Sequence, residues 1–188
     1  MKPITPASPH AIIMVGIPGS GKSMFADRFA ETFKAPIINE SRIAHQARLN
    51  DEQSENVAAI LLDEVIKTNR TFIYEAVRLT KAKRAELMKS IMKAGYRPLI
   101  VWVQTEANEA KRRATKPQPT GSGLTEAEFD SAFHSFQAPT EQEKATVISG
   151  KHTYATQLKV VLRQLAGARQ EAPIAPPSPR QPGNIVIR

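Results

Sequence analysis

The sequence contains the apolar run Ala11-Ile12-Ile13-Met14-Val15, followed directly by Gly16-Ile17-Pro18-Gly19-Ser20-Gly21-Lys22-Ser23. The apolar run is typical of a strand that is buried on both faces of a sheet. After the glycine-rich loop, phenylalanine recurs every four residues at Phe25, Phe29 and Phe33, which is typical of one face of a helix. Strand, loop and helix therefore follow one another in the order of a phosphate-binding loop, or P-loop.

This loop has the residues needed to hold a nucleoside triphosphate. Its glycines allow backbone N–H groups to turn toward a chain of phosphates, and the N-terminus of the following helix adds partial positive charge. Lys22 would bridge the outer phosphates, and the Ser23 hydroxyl would ligate Mg²⁺. The alternative is an ordinary glycine-rich turn, which the flanking strand and helix disfavour. We therefore predict ATP and Mg²⁺ as cofactors, with the nucleotide bound by Gly16, Ile17, Pro18, Gly19, Ser20, Gly21, Lys22, Ser23 and Met24.

Composition indicates one soluble globular domain, with 41% apolar and 23% charged residues in a chain of 188. The formal charge of +8 favours anionic partners, but a nucleotide cleft itself needs cations, so nucleic acid stays open as a partner. The absence of cysteine excludes disulfides and thiolate-bound metals. Because we find neither a signal-peptide core nor an apolar run that could span a bilayer, we expect a cytoplasmic protein without membrane contact.

The order of the segments predicts an α/β fold. Apolar strand runs near residues 11–15, 36–39, 71–75, 97–103 and 145–150 alternate with helical patterns. Such alternation favours a three-layer P-loop NTPase fold in which a five-stranded parallel sheet lies between helices, with a small helical lid at about 106–136. We predict a flexible N-terminal arm at 1–10, one domain at 11–168 and a proline-rich flexible tail at 169–188, whose partner the sequence does not identify.

Ligands in such sheets bind beyond the carboxyl ends of the strands, so the residues that follow each strand are the candidates for function. Besides the P-loop, these segments are 39–42, 75–78, 104–106 and 150–153.

The segment from Gly16 to about Gly150 resembles the small P-loop kinases related to polynucleotide 5′-hydroxyl kinases and zeta toxins. The resemblance is carried by the P-loop, Phe72-Ile73-Tyr74-Glu75, Gly95-Tyr96-Arg97, Ala110-Lys111-Arg112-Arg113 and Phe136-Gln137-Ala138-Pro139-Thr140-Glu141. It implies transfer of the γ-phosphoryl group of ATP to an acceptor hydroxyl, a reaction in which catalysis is mostly positioning and charge neutralisation.

The resemblance also implies roles for the residues that follow the second strand. Family members place an aspartate there as the base for the acceptor hydroxyl, with an arginine three residues on, and the matching residues are Asn39 and Arg42. Because an asparagine cannot accept that proton, either Glu40 serves as the base with a shifted geometry or the acceptor is activated differently. The alternative is that Glu40 and Arg42 form a solvated pair at a helix start.

Three further groups acquire roles from the resemblance. Glu75 would hold a water on Mg²⁺ next to Ser23, the alternative being a surface carboxylate at a strand end. The lid cations Arg112, Arg113 and Lys116 would surround the transferred phosphate, unless they are merely the basic end of a helix. Gly150, Lys151 and His152 would contact adenine, or else Thr153 simply caps the helix that follows.

Three functions therefore stay open. The first is an ATP-dependent kinase for a hydroxyl of a nucleic-acid end, a nucleoside or a related small metabolite. The second is a zeta-toxin-like kinase of a sugar nucleotide, and the third is an ATP-binding regulatory protein with little transferase activity, which Asn39 keeps open.

Overall fold

The computed structural model describes residues 9–76, 78–116 and 123–167. The predicted tail, and the predicted arm except for Pro9 and His10, lie outside the described residues. Five strands form one parallel sheet, which confirms the predicted α/β P-loop fold, and their order in the sheet is β2-β3-β1-β4-β5. They are β1 (His10–Val15), β2 (Ile37–Asn39), β3 (Phe72–Glu75), β4 (Arg97–Gln104) and β5 (Thr146–Ser149).

Helices cover both faces of this sheet. They are α1 (Lys22–Phe33), α2 (Glu40–Ala47), α3 (Asp51–Lys67), α4 (Lys81–Lys93), α5 (Ala107–Ala114), α6 (Glu126–His134) and α7 (Tyr154–Gly167). Along β1, Ile12 and Met14 pack toward Phe25 and Phe29 of α1 and toward α7, whereas the alternate residues pack toward α3 and α4. Both faces of β1 are therefore buried, which explains its continuous apolar run. Among the described helices, none has the length and apolarity to cross a bilayer.

The helix starts are fixed by local side chains. Thr80 caps α4, and its side chain accepts a hydrogen bond from the Lys83 backbone N–H at 3.3 Å. Asn50 forms a capping box with Gln53 at the start of α3. Helix α2 begins at Glu40, where the preceding Asn39 side chain accepts a hydrogen bond from the Arg42 backbone N–H at 2.8 Å.

The segment predicted to form a lid contains α5 and α6, and its return to the sheet is held by a buried arginine. Ile17 of the P-loop packs against Ala110 of α5 and Phe129 of α6, so the lid rests on the loop. Arg84 of α4 is fully buried, donates to both carboxylate oxygens of Glu143 at 2.5 and 2.9 Å, and donates to three backbone carbonyls. These contacts tie the segment after α6 to the body of the domain.

Candidate nucleotide and acceptor site

The P-loop connects β1 to α1 and is packed closely against its neighbours. Gly19 has a φ of +73°, and a Cβ there would lie 2.1 Å from the backbone oxygen of Ala110. The Thr105 hydroxyl donates to the backbone oxygen of Ser20 at 2.9 Å, and a Cβ on Gly150 would lie 2.0 Å from that same oxygen. Only glycine fits at these contacts, which hold the loop against α5 and against the turn after β5.

Two side chains of the loop are arranged as a phosphate site requires. Lys22 Nζ donates to the backbone oxygens of Gly16 and Ile17 at 2.8 and 3.0 Å, and its third proton stays available for a ligand. Burial lowers the pKa of Lys22, and the nearby charge of Glu75 partly opposes that effect. The hydroxyl of Ser20 is buried and has no hydrogen-bond partner among the described residues. A half-buried cation and a buried unpaired hydroxyl fit the oxygens of a phosphate chain.

Three residues considered in the sequence analysis, Ser23, Asn39 and Glu75, lie in contact beside the carboxyl ends of β2 and β3. The Ser23 hydroxyl donates to Glu75 Oε1 at 2.7 Å, and the Asn39 amide donates to Glu75 Oε2 at 2.9 Å. Glu75 and Asn39 are each only 6% exposed. Burial raises the pKa of Glu75, while the Lys22 charge and the Ser23 hydrogen bond act in the opposite direction. Asn39 therefore positions the Glu75 carboxylate, a role that sequence reasoning missed.

The same residues fit a magnesium ion coordinated mainly by nucleotide phosphates. The hydroxyl of Ser23 and the carboxylate of Glu75 are hard oxygen ligands, the kind that Mg²⁺ prefers. Within residues 9–76, 78–116 and 123–167, no group of three or more His, Cys, Asp or Glu side chains could hold a metal ion. A cation here would therefore need oxygens from water and phosphate, as Mg²⁺ in nucleotide sites usually does.

The two other residues discussed after β2 have contacts of their own. Glu40 is buried, and its Oε1 accepts a hydrogen bond from the Tyr74 hydroxyl at 2.7 Å. Burial and this hydrogen bond raise the pKa of Tyr74. Arg42 contacts Asp27 of α1 at 2.6 Å. Glu40 and Arg42 thus have different partners, and Glu40 would have to leave Tyr74 to serve as a base.

Two of the three predicted lid cations, Arg112 and Arg113, are held by one carboxylate. Glu109 accepts hydrogen bonds from Arg112 at 2.9 Å and from Arg113 at 2.7 Å, and these bonds lower the pKa of Glu109 to about 2. Arg113 also donates to the backbone oxygen of Gly150 at 3.0 Å, which joins α5 to the turn predicted to contact adenine. Lys116 is exposed just beyond α5.

Two hollows flank the P-loop. One has a volume of about 410 Å³ and extends from Ile17 to Ser149 and Lys151, on the predicted adenine side. Lys151 and His152 are both exposed there. The other lies between the loop, the end of β3 and α6, and has a volume of about 80 Å³. The first has the size of a small-ligand pocket, whereas the second is narrow with the lid in this position.

The chain belongs to the AAA domain family, whose model matches residues 12–139. Its fold is that of P-loop kinases. A gluconokinase from Sinorhizobium meliloti 1021 is 16% identical with a TM-score of 0.65, over 88% of this chain and 96% of that one. The Mycobacterium tuberculosis APS kinase CysC, in complex with AMPPNP and APS, is 19% identical with a TM-score of 0.62, over 86% and 99%.

Chaetomium thermophilum Kti12, in complex with ADP-AlF3, is 13% identical with a TM-score of 0.66, over 85% of this chain and 98% of that one. The search of curated proteins found no significant match. The findings support a P-loop kinase fold, and the narrower resemblance to polynucleotide kinases and zeta toxins stays a hypothesis.

Proposed function

We propose that this protein is an ATP-dependent kinase that transfers the γ-phosphoryl group to a hydroxyl of a small molecule. The observation that carries the proposal is the hydrogen-bonded array of Ser23, Glu75 and Asn39 beside Lys22. A buried carboxylate held between two donors at the end of β3, beside the P-loop, is costly for stability, so a role at the site accounts for it better than packing does. The small-molecule kinases among the structural neighbours agree with this proposal.

Each part of the array has one task in the proposed reaction. Bound MgATP would supply the transferred phosphoryl group and the cation that neutralises its charge. Lys22 would turn its remaining proton toward the outer phosphates, while Ser23 and Glu75 would hold the cation on the β3 side of the loop. The backbone of Gly16 to Met24 would enclose the phosphates, and the turn Gly150, Lys151 and His152 would lie beside adenine.

The lid would complete the charge neutralisation. Helix α5 carries Arg112 and Arg113, and Lys116 follows shortly after its end. Ala110 of the same helix contacts the P-loop. Cations placed around the equatorial oxygens stabilise a loose transition state, in which little covalent help is needed from the protein. A strong base is then not essential for the reaction. Glu40, assisted by Arg42, is the proposed base for the acceptor hydroxyl, and in that role it would exchange its hydrogen bond with Tyr74 for one with the acceptor.

The proposed acceptors are a nucleic-acid end, a nucleoside or a related metabolite, with a sugar nucleotide as the zeta-toxin-like alternative. The names of neighbours, which include a gluconokinase, a sugar kinase and an APS kinase, favour a small molecule over a polymer.

A second candidate function is ATP binding with little transfer, in which the nucleotide acts as a regulatory ligand. The observation that favours it is Asn39, whose amide donates to Glu75 and has no proton-accepting role. The likeness to Kti12 in complex with ADP-AlF3 is compatible with this candidate.

The test is transfer from γ-labelled ATP with Mg²⁺ to a panel of 5′-hydroxyl oligonucleotides, nucleosides, sugar acids and sugar nucleotides. Label on one acceptor class, lost in Lys22→Ala, would support the kinase. ATP binding that Lys22→Ala weakens, without transfer to any acceptor, would favour the regulatory function. Glu40→Gln with an unchanged rate would remove Glu40 from the mechanism.

A further inference from the structure

The narrow hollow between the P-loop and α6 has an unbalanced charge. The charged side chains among its described lining residues are Lys22 and Arg78, and no aspartate or glutamate lines it. Apolar and neutral polar groups form the rest of the wall, including Leu79, Ser135 and Phe136. The hollow lies beyond the carboxyl ends of β1 and β3, at the edge where parallel sheets of this kind bind their ligands.

Arg78 differs from the other arginines around the site. Arg42 contacts Asp27, Arg84 contacts Glu143, and Glu109 holds both Arg112 and Arg113. The Arg78 side chain is exposed and makes no hydrogen bond or ion pair with the described part of the chain. An arginine that lines a hollow without an internal partner keeps all five of its donors for a ligand.

The two cations of the hollow would not serve the same ligand. Lys22 belongs to the P-loop, and bound phosphates would occupy its available proton. Arg78 would then be the remaining cation of the hollow, on the side opposite to the nucleotide. A planar guanidinium binds carboxylate, sulfate or phosphate through two parallel hydrogen bonds.

We propose that the acceptor carries an anionic group besides its reacting hydroxyl, and that Arg78 binds this group and so determines specificity. The proposal rests on the proposed function, because it assigns the acceptor of that site. Apolar contacts from Leu79 and Phe136 would flank the body of the acceptor. The acceptor class is a hydroxy acid, a phosphate ester or a phosphosulfate of low molecular weight, since a hollow of about 80 Å³ leaves little room unless α6 shifts.

The experiment measures acceptor binding directly, so that its outcome does not depend on transfer. The full chain is loaded with Mg²⁺ and a non-transferable ATP analogue and titrated calorimetrically with matched pairs. The pairs are gluconate and glucitol, glycerol 3-phosphate and glycerol, adenosine 3′-phosphate and adenosine, and adenosine 5′-phosphosulfate and adenosine. The variants are Arg78→Gln, Arg78→Lys and the matched control Arg163→Gln, which removes an exposed arginine of α7 that does not line the hollow.

We expect at least one anionic member to bind about tenfold or more tightly than its neutral partner. This preference should disappear in Arg78→Gln, persist in part in Arg78→Lys and stay unchanged in Arg163→Gln. Which pair shows it distinguishes carboxylate, phosphate and phosphosulfate acceptors. Equal affinity within every pair, a preference that survives Arg78→Gln, or no binding by any compound would overturn the proposal. Anion binding without transfer in the labelled-ATP assay would instead count against the kinase function alone.

Discussion

The replacement Asn39→Asp should destabilise the protein in a pH-dependent way, although it restores the residue type that related kinases place after the second strand. The Asn39 amide nitrogen lies 2.9 Å from Glu75 Oε2, and the substitution would put a carboxylate oxygen in its place. The cap of α2 would survive, because an aspartate oxygen can still accept from the Arg42 backbone. The change therefore adds one negative charge beside Glu75 and leaves the helix start intact.

The magnitude follows from the distance. Two unit charges about 3 Å apart repel by roughly 5.5 kcal/mol at an effective dielectric of about 20. The pair can avoid this repulsion if one of the two carboxylates binds a proton. For an ordinary carboxyl pKa of about 4, the free-energy cost of protonation is roughly 5.4 kcal/mol at pH 8 and roughly 1.4 kcal/mol at pH 5. The charges of Lys22 and Arg42 act on Glu75 and offset part of the cost. We expect a loss of about 2–4 kcal/mol at pH 8 and of less than about 1 kcal/mol at pH 5.

The sign of the pH dependence follows from proton binding. The folded variant would hold a proton with a raised pKa, whereas both carboxyls titrate near their ordinary pKa values in the unfolded chain. Stability relative to wild type is therefore retained at low pH and lost as the pH rises. Urea unfolding at pH 5 and pH 8, without nucleotide or Mg²⁺, measures this difference, and Trp102 is the single tryptophan available as a fluorescent reporter.

The matched control is Asn39→Ala, which removes the hydrogen bond to Glu75 and the helix cap without adding charge. Its cost should be about 1–2 kcal/mol and should change less between pH 5 and pH 8 than that of Asn39→Asp. If the cost of Asn39→Asp is the same at pH 5 and pH 8, or no larger than that of Asn39→Ala at pH 8, the reasoning about the array is wrong.

Three further substitutions test other parts of the structure. Glu75→Gln should abolish Mg²⁺-dependent transfer yet leave the apo protein at least as stable as wild type at pH 8 in urea unfolding. Burial raises the pKa of Glu75, so ionisation of this side chain above that pKa lowers the stability of the wild-type protein. Lower stability of the variant than of wild type at pH 8 would contradict this. Arg84→Met should cost about 3–5 kcal/mol in the same assay by leaving Glu143 buried and unpaired, and adding Glu143→Gln should recover part of the loss. Gly150→Ala should weaken ATP binding at least about tenfold in calorimetry, because the added Cβ would lie 2.0 Å from a backbone oxygen of the P-loop. Unchanged affinity for ATP would contradict this, since it would show that the turn can move aside.

Features with local causes could be predicted from the sequence. The buried strands are recognisable because burial on two faces requires a continuous apolar run. The position of Glu75 at the end of β3 also predicts that this residue lies at the ligand-binding edge of the sheet. The cap at Thr80 has the same local character. In contrast, the apolar run of β4 does not show that Trp102 is only half-buried. Its side chain packs against the core and also lines the hollow beside Phe133 and Phe136.

Features that depend on distant contacts could not be predicted. Arg84 belongs to the basic run Lys81-Ala82-Lys83-Arg84, which has the pattern of a solvated helix face. Its burial depends on Glu143 and on the carbonyls of Gln137 and Ala138, more than fifty residues away. The bond between Asn39 and Glu75 likewise joins two strands that are adjacent only in the folded sheet. The ion pair between Glu109 and Arg113 is different, because residues four apart on a helix are neighbours and the sequence alone could have predicted this contact.

The pairing of Glu109 determines how the lid could act. Because Arg112 and Arg113 hold the pKa of Glu109 at about 2, no physiological change of pH would release the two arginines by protonating it. Glu109, Arg112 and Arg113 all belong to α5, so a movement of that helix would leave the pairing intact. An exposed pair of this kind is weak, however, and a competing anion can displace the carboxylate. A bound nucleotide supplies such an anion at the right place, since α5 already touches the P-loop and Arg113 already reaches the Gly150 turn. Lys116 lacks this carboxylate partner, so the lid would offer one available cation first and two more once phosphate displaces Glu109.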